Sequence, residues 1–440
     1  MSQNESKRRL GAGAIGNFGE IYDFAVFGFS VPILSQHFFP KSDPTAALLS
    51  TFAVYAVAFF ARPVGGLVFG YLADRIGRVK VLAITIWLMA AGTAVIGLLP
   101  TYASVGVLAP ALLVLCRLAQ GFALGGETTG STSYILESAP DDRRGWWVGI
   151  VWFFAHIPNA LVALMLAGLQ FVAGEEMYGD WLWRIPFIMG GLIGVIGFWL
   201  RRSLDDPEEY KAARREKKDT NTFRSMARTG GYKPILYVLM VQPVQTVGSY
   251  LLLGFMYAFL VKEAHLHPTD ALMTNAAAIL VLSAIIPASG RLSDSIGRKK
   301  VFTLGALWIL VAAYPAVMLA STGNLTNAFI GQLLLAIGIG IYNGAAFPAA
   351  AEFFPTSYRA TGHAIAYQLA VAVFGGTTPL IATWLVSSTG SALAPGLYVT
   401  AVALVGLVLV QFVPETKGIR LRTAATSDYE ASGLVPATSR

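Results

Sequence analysis

The stretch Gly70-Tyr71-Leu72-Ala73-Asp74-Arg75-Ile76-Gly77-Arg78-Val79-Lys80 returns 220 residues later as Gly290-Arg291-Leu292-Ser293-Asp294-Ser295-Ile296-Gly297-Arg298-Lys299-Lys300. Gly, Asp, Gly, Arg and Lys keep the same places in both copies, and each copy follows one long apolar segment and precedes another. A charged, glycine-spaced turn repeated at half the chain length predicts the duplication of one membrane-embedded half. Transporters are built in this way, with two related halves that rock about a shared site.

Composition agrees with a membrane setting. Of the 440 residues, 55% are hydrophobic and only 13% charged, and the mean hydropathy is +0.60. A soluble domain carries about 25% charge. The 45 glycines suit close helix packing in lipid, as in Gly66-x-x-x-Gly70 and Gly121-x-x-x-Gly125. Met1–Arg9 is polar and basic, and no short apolar region with a small-residue cleavage site follows, so no cleavable signal is expected. The single cysteine, Cys116, excludes an internal disulfide and a cysteine metal site, and its apolar surroundings predict a packing role. The net charge of +7 is no nucleic-acid footprint, because the basic residues sit in short loops between apolar segments.

Spanning hydrocarbon takes about 20 residues, and twelve apolar segments qualify. They lie near 12–36, 47–73, 80–99, 105–136, 145–172, 184–201, 234–260, 270–292, 300–320, 326–350, 360–387 and 395–413. The stretch 202–232 interrupts them with Arg202, Lys211, Arg214, Arg215, Lys217, Lys218, Arg224 and Arg228 among Asp205, Asp206, Glu208 and Glu209. The expected fold is an all-α membrane protein, twelve transmembrane helices in two pseudo-symmetric six-helix bundles. The bundles are 1–201 and 233–413, joined by a cytoplasmic linker 202–232. The tail 414–440, rich in Ser, Thr and Ala and without apolar periodicity, is expected to be disordered.

Lys and Arg gather on the cytoplasmic side of a membrane. The N-terminus, both turn copies, Arg143-Arg144, the middle stretch, Arg359 and the tail all fall on one face. The other loops offer Lys41, Arg184 and Lys262 with the acids Glu175, Glu176 and Asp180. Both termini are therefore expected in the cytoplasm of a bacterial cell, with the chain in its inner membrane.

Further patterns sharpen the reading. Arg117-Leu118-Ala119-Gln120-Gly121 precedes Glu137-Ser138-Ala139-Pro140 and Arg144-Gly145, and Glu352-Phe353-Phe354-Pro355 with Arg359-Ala360-Thr361-Gly362 echoes the latter in the second half. With the paired turn, these resemble the major facilitator superfamily across all twelve segments. The turn copies look like its signature between helices 2 and 3 and helices 8 and 9. Within it the chain is similar to the metabolite:proton symporters for citrate, 2-oxoglutarate, shikimate, proline and betaine. The residues that carry this are Glu20-x-x-Asp23-Phe24 with Phe27-Gly28-Phe29, Arg62-Pro63-Val64-Gly65-Gly66, Gly125-Gly126-Glu127 and Asp180-Trp181-x-Trp183-Arg184-Ile185-Pro186-Phe187. One departure stands out: Ser295 replaces the Arg75 of the first turn, so the halves need not gate equally.

An ionisable side chain inside a bilayer costs several kcal/mol, so each is a functional candidate. Glu20 and Asp23, three residues apart, share a face of helix 1. At 1.5 Å per residue Asp23 lies roughly 17 Å along that helix, Arg62 roughly 22 Å down helix 2 and Arg117 roughly 18 Å down helix 4. Burial disfavours a carboxylate's charge while a nearby Arg favours it, so a carboxylate held between the two can take and release a proton. Asp23 opposite Arg117 fits, and the resemblance implies the same position; Glu20 and Glu127 are the alternative proton sites. Protonation would free Arg117 or Arg62 to hold a substrate carboxylate in a bidentate fork. Tyr22 and Gln120 join the candidate substrate-binding set.

The second half carries almost no embedded charge. The resemblance implies that helices 1, 4, 7 and 10 line the cavity, which selects Gln242, Gln245 and Asn343 as contact candidates. His156 and Asn159 flank Pro158, and read either as a satisfied polar pair at a kink or as a titrating and binding pair. Asp74, Arg75, Arg78, Glu137, Arg144, Asp294, Arg298, Glu352 and Arg359 form an expected cytoplasmic gate, in which Asp74 and Asp294 cap helix N-termini and so bias one of two states.

No zinc spacing, phosphate-cradling loop or nucleophile elbow supports an enzyme, and no cofactor is implied beyond the proton. A proton crossing 100 mV supplies about 2.3 kcal/mol, enough for modest accumulation. The expectation is therefore a monomeric, proton-coupled importer of a small carboxylate-bearing metabolite, an organic acid first. Osmoprotectant (proline or betaine) uptake is the alternative, because a zwitterion also carries a carboxylate. A drug:proton antiporter is more distant, because Trp152–Leu164 lacks the Gly-Pro-rich stretch of those proteins. A non-transporting membrane receptor, the third class, would need no titratable pair in the membrane.

Overall fold

In the computed structural model, residues 3–76, 78–125, 132, 135–136, 139–202, 232–355 and 359–419 are described. Among them there are helices and turns and no strand. The helices are α1 (Gln3–Phe38), α2 (Pro44–Ile76), α3 (Arg78–Leu98), α4 (Leu108–Leu124), α5 (Arg144–Asp180) and α6 (Ile185–Arg202). They continue with α7 (Tyr232–Lys262), α8 (Pro268–Ile296), α9 (Arg298–Ala320) and α10 (Leu325–Glu352). The series ends with α11, which runs from Arg359–Ala370 to Thr378–Thr389, and α12 (Ala394–Leu409). Nine described helices are long and apolar enough to cross a membrane, and α3, α4 and α6 hold shorter apolar stretches. Each expected segment thus has its helix, in keeping with the twelve-helix fold.

Local chemistry explains the departures from regular helix. Beyond residue 172, where the fifth apolar segment was expected to end, α5 runs on to Asp180 through Gly174, whose φ of 77° suits glycine. A π turn at Leu251–Phe255 loosens α7, and the amide of Asn275 on α8 donates to the Leu252 carbonyl there at 3.0 Å. Backbone irregularity inside a bilayer needs such a substitute partner. A second π turn, Val371–Gly375, splits α11; Pro379 supplies no N–H to the turn before it, and the Thr378 hydroxyl takes the Phe374 carbonyl at 2.6 Å.

The helices gather into two compact sets of mutual contacts, Met1–Thr128 with Gly168–Asp219, and Thr129–Ala167 with Thr220–Arg440. These sets are not the two sequence repeats, since the first part of α5 packs with the second set. Residues 203–231 of the expected linker lie outside the described residues.

The first unit is centred on large side chains, with Phe27, Phe38, Phe52, Phe59, Trp183 and Phe187 all fully buried. The second is centred on small ones, and α10 buries Gly338, Gly340, Gly344, Ala345, Ala346 and Ala349–Ala351. Large apolar residues such as Val311, Trp384, Leu397 and Phe412 point outward. Small inside and large apolar outside is how helices pack in a lipid solvent.

The start of the tail departs from expectation. Residues 414–419 are tied down by hydrogen bonds: the Glu415 carboxylate accepts the first backbone N–H groups of α9, from Arg298 at 2.9 Å and Lys299 at 3.0 Å. Thr416 is fully buried. A helix N-terminus offers unmet donors and positive charge, which holds a carboxylate in place without any apolar periodicity. Residues 420–440 lie outside the described residues.

Candidate functional site

In the first unit, glycines bring the charged residues together. A Cβ on Gly121 of α4 would fall inside the Ala58 carbonyl oxygen of α2, and one on Gly125 inside that of Arg62. With no side chain at these points the two backbones touch. Arg62 on α2 and Arg117 on α4 then converge on one ring of α1: their guanidinium carbons lie 4.4 and 4.8 Å from the centre of Phe24. Arg62 also lies 4.7 Å from Phe59, and Arg117 lies 4.2 Å from Phe27 and 5.5 Å from Tyr55. Aromatic faces of this kind attract cations and attract them more strongly when water is excluded.

Asp23 is 3% exposed and meets Arg117 through an intermediary. The Gln120 amide nitrogen donates to Asp23 Oδ1 at 3.1 Å and to Thr93 Oγ1 at 2.8 Å. On its other end, Gln120 Oε1 accepts from Arg117 Nη1 at 3.0 Å. The Thr93 hydroxyl on α3 bonds to Asp23 Oδ1 as well. The direct Asp23–Arg117 pairing expected from helix depth is therefore a relay, carboxylate to amide to guanidinium. Neither residue forms an ion pair among the described residues. Asp23 Oδ2 and Arg117 Nε and Nη2 are buried without a hydrogen-bond partner.

Glu20 is buried one turn before Asp23. Tyr22 donates its hydroxyl to the Pro186 carbonyl of α6 at 2.8 Å, a tether between helices. Glu127 lies outside the described residues. Thr93 and the rings of Tyr55 and Phe59 escaped the sequence reading. Their signal was faint: Phe59 stands three residues before Arg62, one turn away on the same face.

The second unit holds the other polar group. Gln245 Nε2 and Asn343 Nδ2 both donate to the Ser249 hydroxyl, at 3.3 and 3.2 Å. Gln245 Oε1, Asn343 Oδ1 and both ends of the fully buried Gln242 amide have no partner. His156 is buried, with Nδ1 2.7 Å from the Trp152 carbonyl one turn earlier, and Asn159 is buried after it. Trp152 stacks on Phe347 of α10 with ring centres 3.7 Å apart and planes within 3°.

Charged residues collect where α5, α8, α9 and α10 meet in that unit. The Asp294 carboxylate accepts the Gly145 and Trp146 N–H groups at 2.8 and 2.9 Å, capping the start of α5. A close approach makes this possible, because a Cβ on Gly145 or on Gly290 would fall inside the other's carbonyl oxygen. Arg298 holds Asp294 at 2.7 Å and grips Glu352 with two bonds, at 3.2 and 2.9 Å. Thr416 donates to Glu352 at 2.5 Å. Arg144 binds Asp141 and the Ile419 carbonyl, and Arg359 donates to the Phe354 carbonyl at 3.0 Å. Lys417 reaches the Ser295 carbonyl, at the position where the first turn copy carries Arg75. The side chains of Asp74, Arg75, Arg78 and Glu137 lie outside the described residues.

The sequence model of the family described as "Sugar (and other) transporter" matches residues 12–223 and 204–427. The proline/betaine transporter of Escherichia coli (strain K12) is 33% identical over 442 residues, covering 98% of this chain and 88% of that protein. The citrate-proton symporter of Klebsiella pneumoniae is 34% identical over 410 residues, covering 93% and 92%. Among solved structures, the xylose transporter XylE of Escherichia coli, in a partially occluded inward-open conformation, aligns over 93% of this chain and 98% of its own. Its TM-score is 0.72 at 19% identity, a likeness of fold.

Proposed function

Because the chain belongs to the major facilitator superfamily and within it to the metabolite:proton symporters, we propose that it takes up a small carboxylate-bearing metabolite with protons by alternating access, an organic acid first. The observation that carries this reading is the buried relay from Asp23 through Gln120 to Arg117. Asp23 Oδ2, bare of hydrogen bonds, is a place for a proton to sit. Once neutral, Asp23 no longer attracts the Arg117 charge, and Gln120 transmits that change over one hydrogen bond to each. Arg117, with two of its nitrogens uncommitted, can then bind a carboxylate through a planar fork. Arg62 supplies a second cation beside the same ring.

Asp294, Arg298 and Glu352 act in this proposal as the contacts that hold one conformational state closed. They bind the start of α5, and contacts made in one state alone bias a two-state equilibrium. The protein works as a monomer in the bacterial cytoplasmic membrane with both termini inside. The proton is its coupling ion, and no other cofactor takes part.

Proteoliposomes holding the purified protein test the proposal. Labelled citrate or a related acid should accumulate under an inwardly directed proton gradient and stop when a protonophore collapses it. Uptake indifferent to the gradient would defeat the coupling claim. The 33% identity to a proline/betaine transporter favours a zwitterion as the second reading, and accumulation of proline or betaine with no organic acid transported would establish that one instead.

A further inference from the structure

Three cations open α9, and two of them are already spent. Arg298 holds Asp294 and Glu352, and Lys299 Nζ donates to the Gln411 carbonyl at 2.6 Å. Lys300 is exposed and makes no hydrogen bond or ion pair with the described residues. A cation in the first turn of a helix meets the positive end of its dipole, so Lys300 adds nothing to the stability of α9.

Its setting lies along the helix. Leu304, Leu307, Trp308, Val311 and Pro315 follow Lys300 at helical spacing and share its face of α9. With Leu334 of α10 these five residues line an apolar groove of about 550 Å³ inside the second unit. Trp308 forms the floor. Its Nε1 donates to the Leu334 carbonyl at 2.9 Å, and its ring lies over Gly338, where a Cβ would come within 2.5 Å of it. The polar edge of the indole is thus satisfied within the protein, and an apolar face is left for the groove. Leu304 and Val311 stand exposed along the rim.

The groove also has a telling length. From Leu304 to Pro315 it runs about 16 Å at 1.5 Å per residue, close to half of the roughly 30 Å of hydrocarbon in a bilayer. That is the depth of one leaflet. Lys300 sits one turn above it, at the end of the charged turns, and its flexible stem lets the ammonium reach headgroup level.

We propose that the α9–α10 groove seats one anionic phospholipid from the leaflet on the side of the turn copies, with its phosphate on Lys300 and one acyl chain along Leu304, Trp308, Val311 and Pro315. Unpaired basic residues beside apolar clefts between membrane helices are suited to such headgroups. A zwitterionic lipid carries its own cation next to the phosphate and gains less from Lys300. The seat lies within one unit and does not depend on which substrate is carried.

Native mass spectrometry of the purified full-length protein tests this, with dioleoylphosphatidylglycerol titrated against dioleoylphosphatidylcholine, which has the same chains. The first phosphatidylglycerol should bind about fivefold or more tightly than the first phosphatidylcholine, the effect of one lysine near a headgroup. Lys300→Gln should bring the two lipids within about twofold of each other. Lys80→Gln, at the matching exposed lysine of the first turn copy, should leave the preference in place. Ala312→Trp, which fills the groove and keeps Lys300, should weaken both lipids. Equal binding of the two lipids by the wild-type protein overturns the inference, and decides the matter even if Ala312→Trp fails to fold. A preference that survives Lys300→Gln overturns it, as does one that Lys80→Gln lowers equally, since the attraction would then belong to the basic surface at large. Unchanged binding in a folded Ala312→Trp protein removes the groove from the seat and overturns it too. Displacement of phosphatidylglycerol by glycerol 3-phosphate would make this a site for a soluble phosphate, and a dimer that Ala312→Trp dissociates would make the groove an interface between copies; either result overturns the lipid assignment.

Discussion

Replacing Asp23 with Asn keeps the shape of a protonated aspartic acid and removes the proton that could leave. Gradient-driven accumulation should fall to background, while exchange of labelled for unlabelled substrate, which needs only the loaded carrier to move, should persist at a reduced rate. Transport should also lose its pH dependence. Loss of exchange as well would make Asp23 a binding or structural residue and pass the coupling role to Glu20 or Glu127. Arg117→Ala should abolish accumulation with the protein still inserted, as read by membrane yield and a monodisperse elution profile; near-normal uptake would reduce the relay to scaffolding. At this scale the sequence was informative about charge and silent about its surroundings. A carboxylate or guanidinium in an apolar run announces itself, as Asp23, Arg62 and Arg117 did. Gln120 as intermediary and Ser249 as anchor could not be read, because a neutral polar residue in a helix looks the same whether it bridges two partners or one. The rings around Arg117 were hidden among the aromatic residues that any membrane helix carries.

Elements were legible wherever an apolar run ended in a charged turn or in a short polar turn with Pro or Gly, such as Pro100-Thr101 or Ser321-Thr322-Gly323-Asn324, which together gave all twelve segments. Their bends were not, since a π turn depends on a partner from another helix, as Asn275 serves Leu252. Glycine crossings fall between these cases. The small-residue spacing at Gly121 and Gly125 was visible, but the helix they meet was not. Gly121→Ala tests that crossing, because its new methyl group collides with the Ala58 carbonyl of α2. Overpacking of this kind costs about 1–3 kcal/mol, and thermal unfolding in detergent should register the loss. It should lower transport too, by separating Arg62 from Arg117. An unchanged melting temperature would mean that α2 and α4 can part at no cost.

For the molecule as a whole, the repeat and the basic loops indicated the architecture, yet the docking of residues 414–419 was invisible. Its partners at Arg298 and Lys299 lie more than 110 residues away, and a short polar stretch has no period to betray it. Glu415→Ala should lower stability by about 0.5–2 kcal/mol, as loss of a helix cap does. Glu415→Gln, which retains one acceptor oxygen, should recover part of it, and full stability in the alanine variant would show the contact to be idle. The position of this contact also sets an order of events in biosynthesis. Glu415 and Thr416 are made after all twelve described helices, α1 to α12. The start of α9 and the Glu352 carboxylate must therefore wait, incompletely paired, until translation has passed α12. The charge cluster that ties α5 to α8 is completed only after the described helices, α12 included, have had their chance to insert.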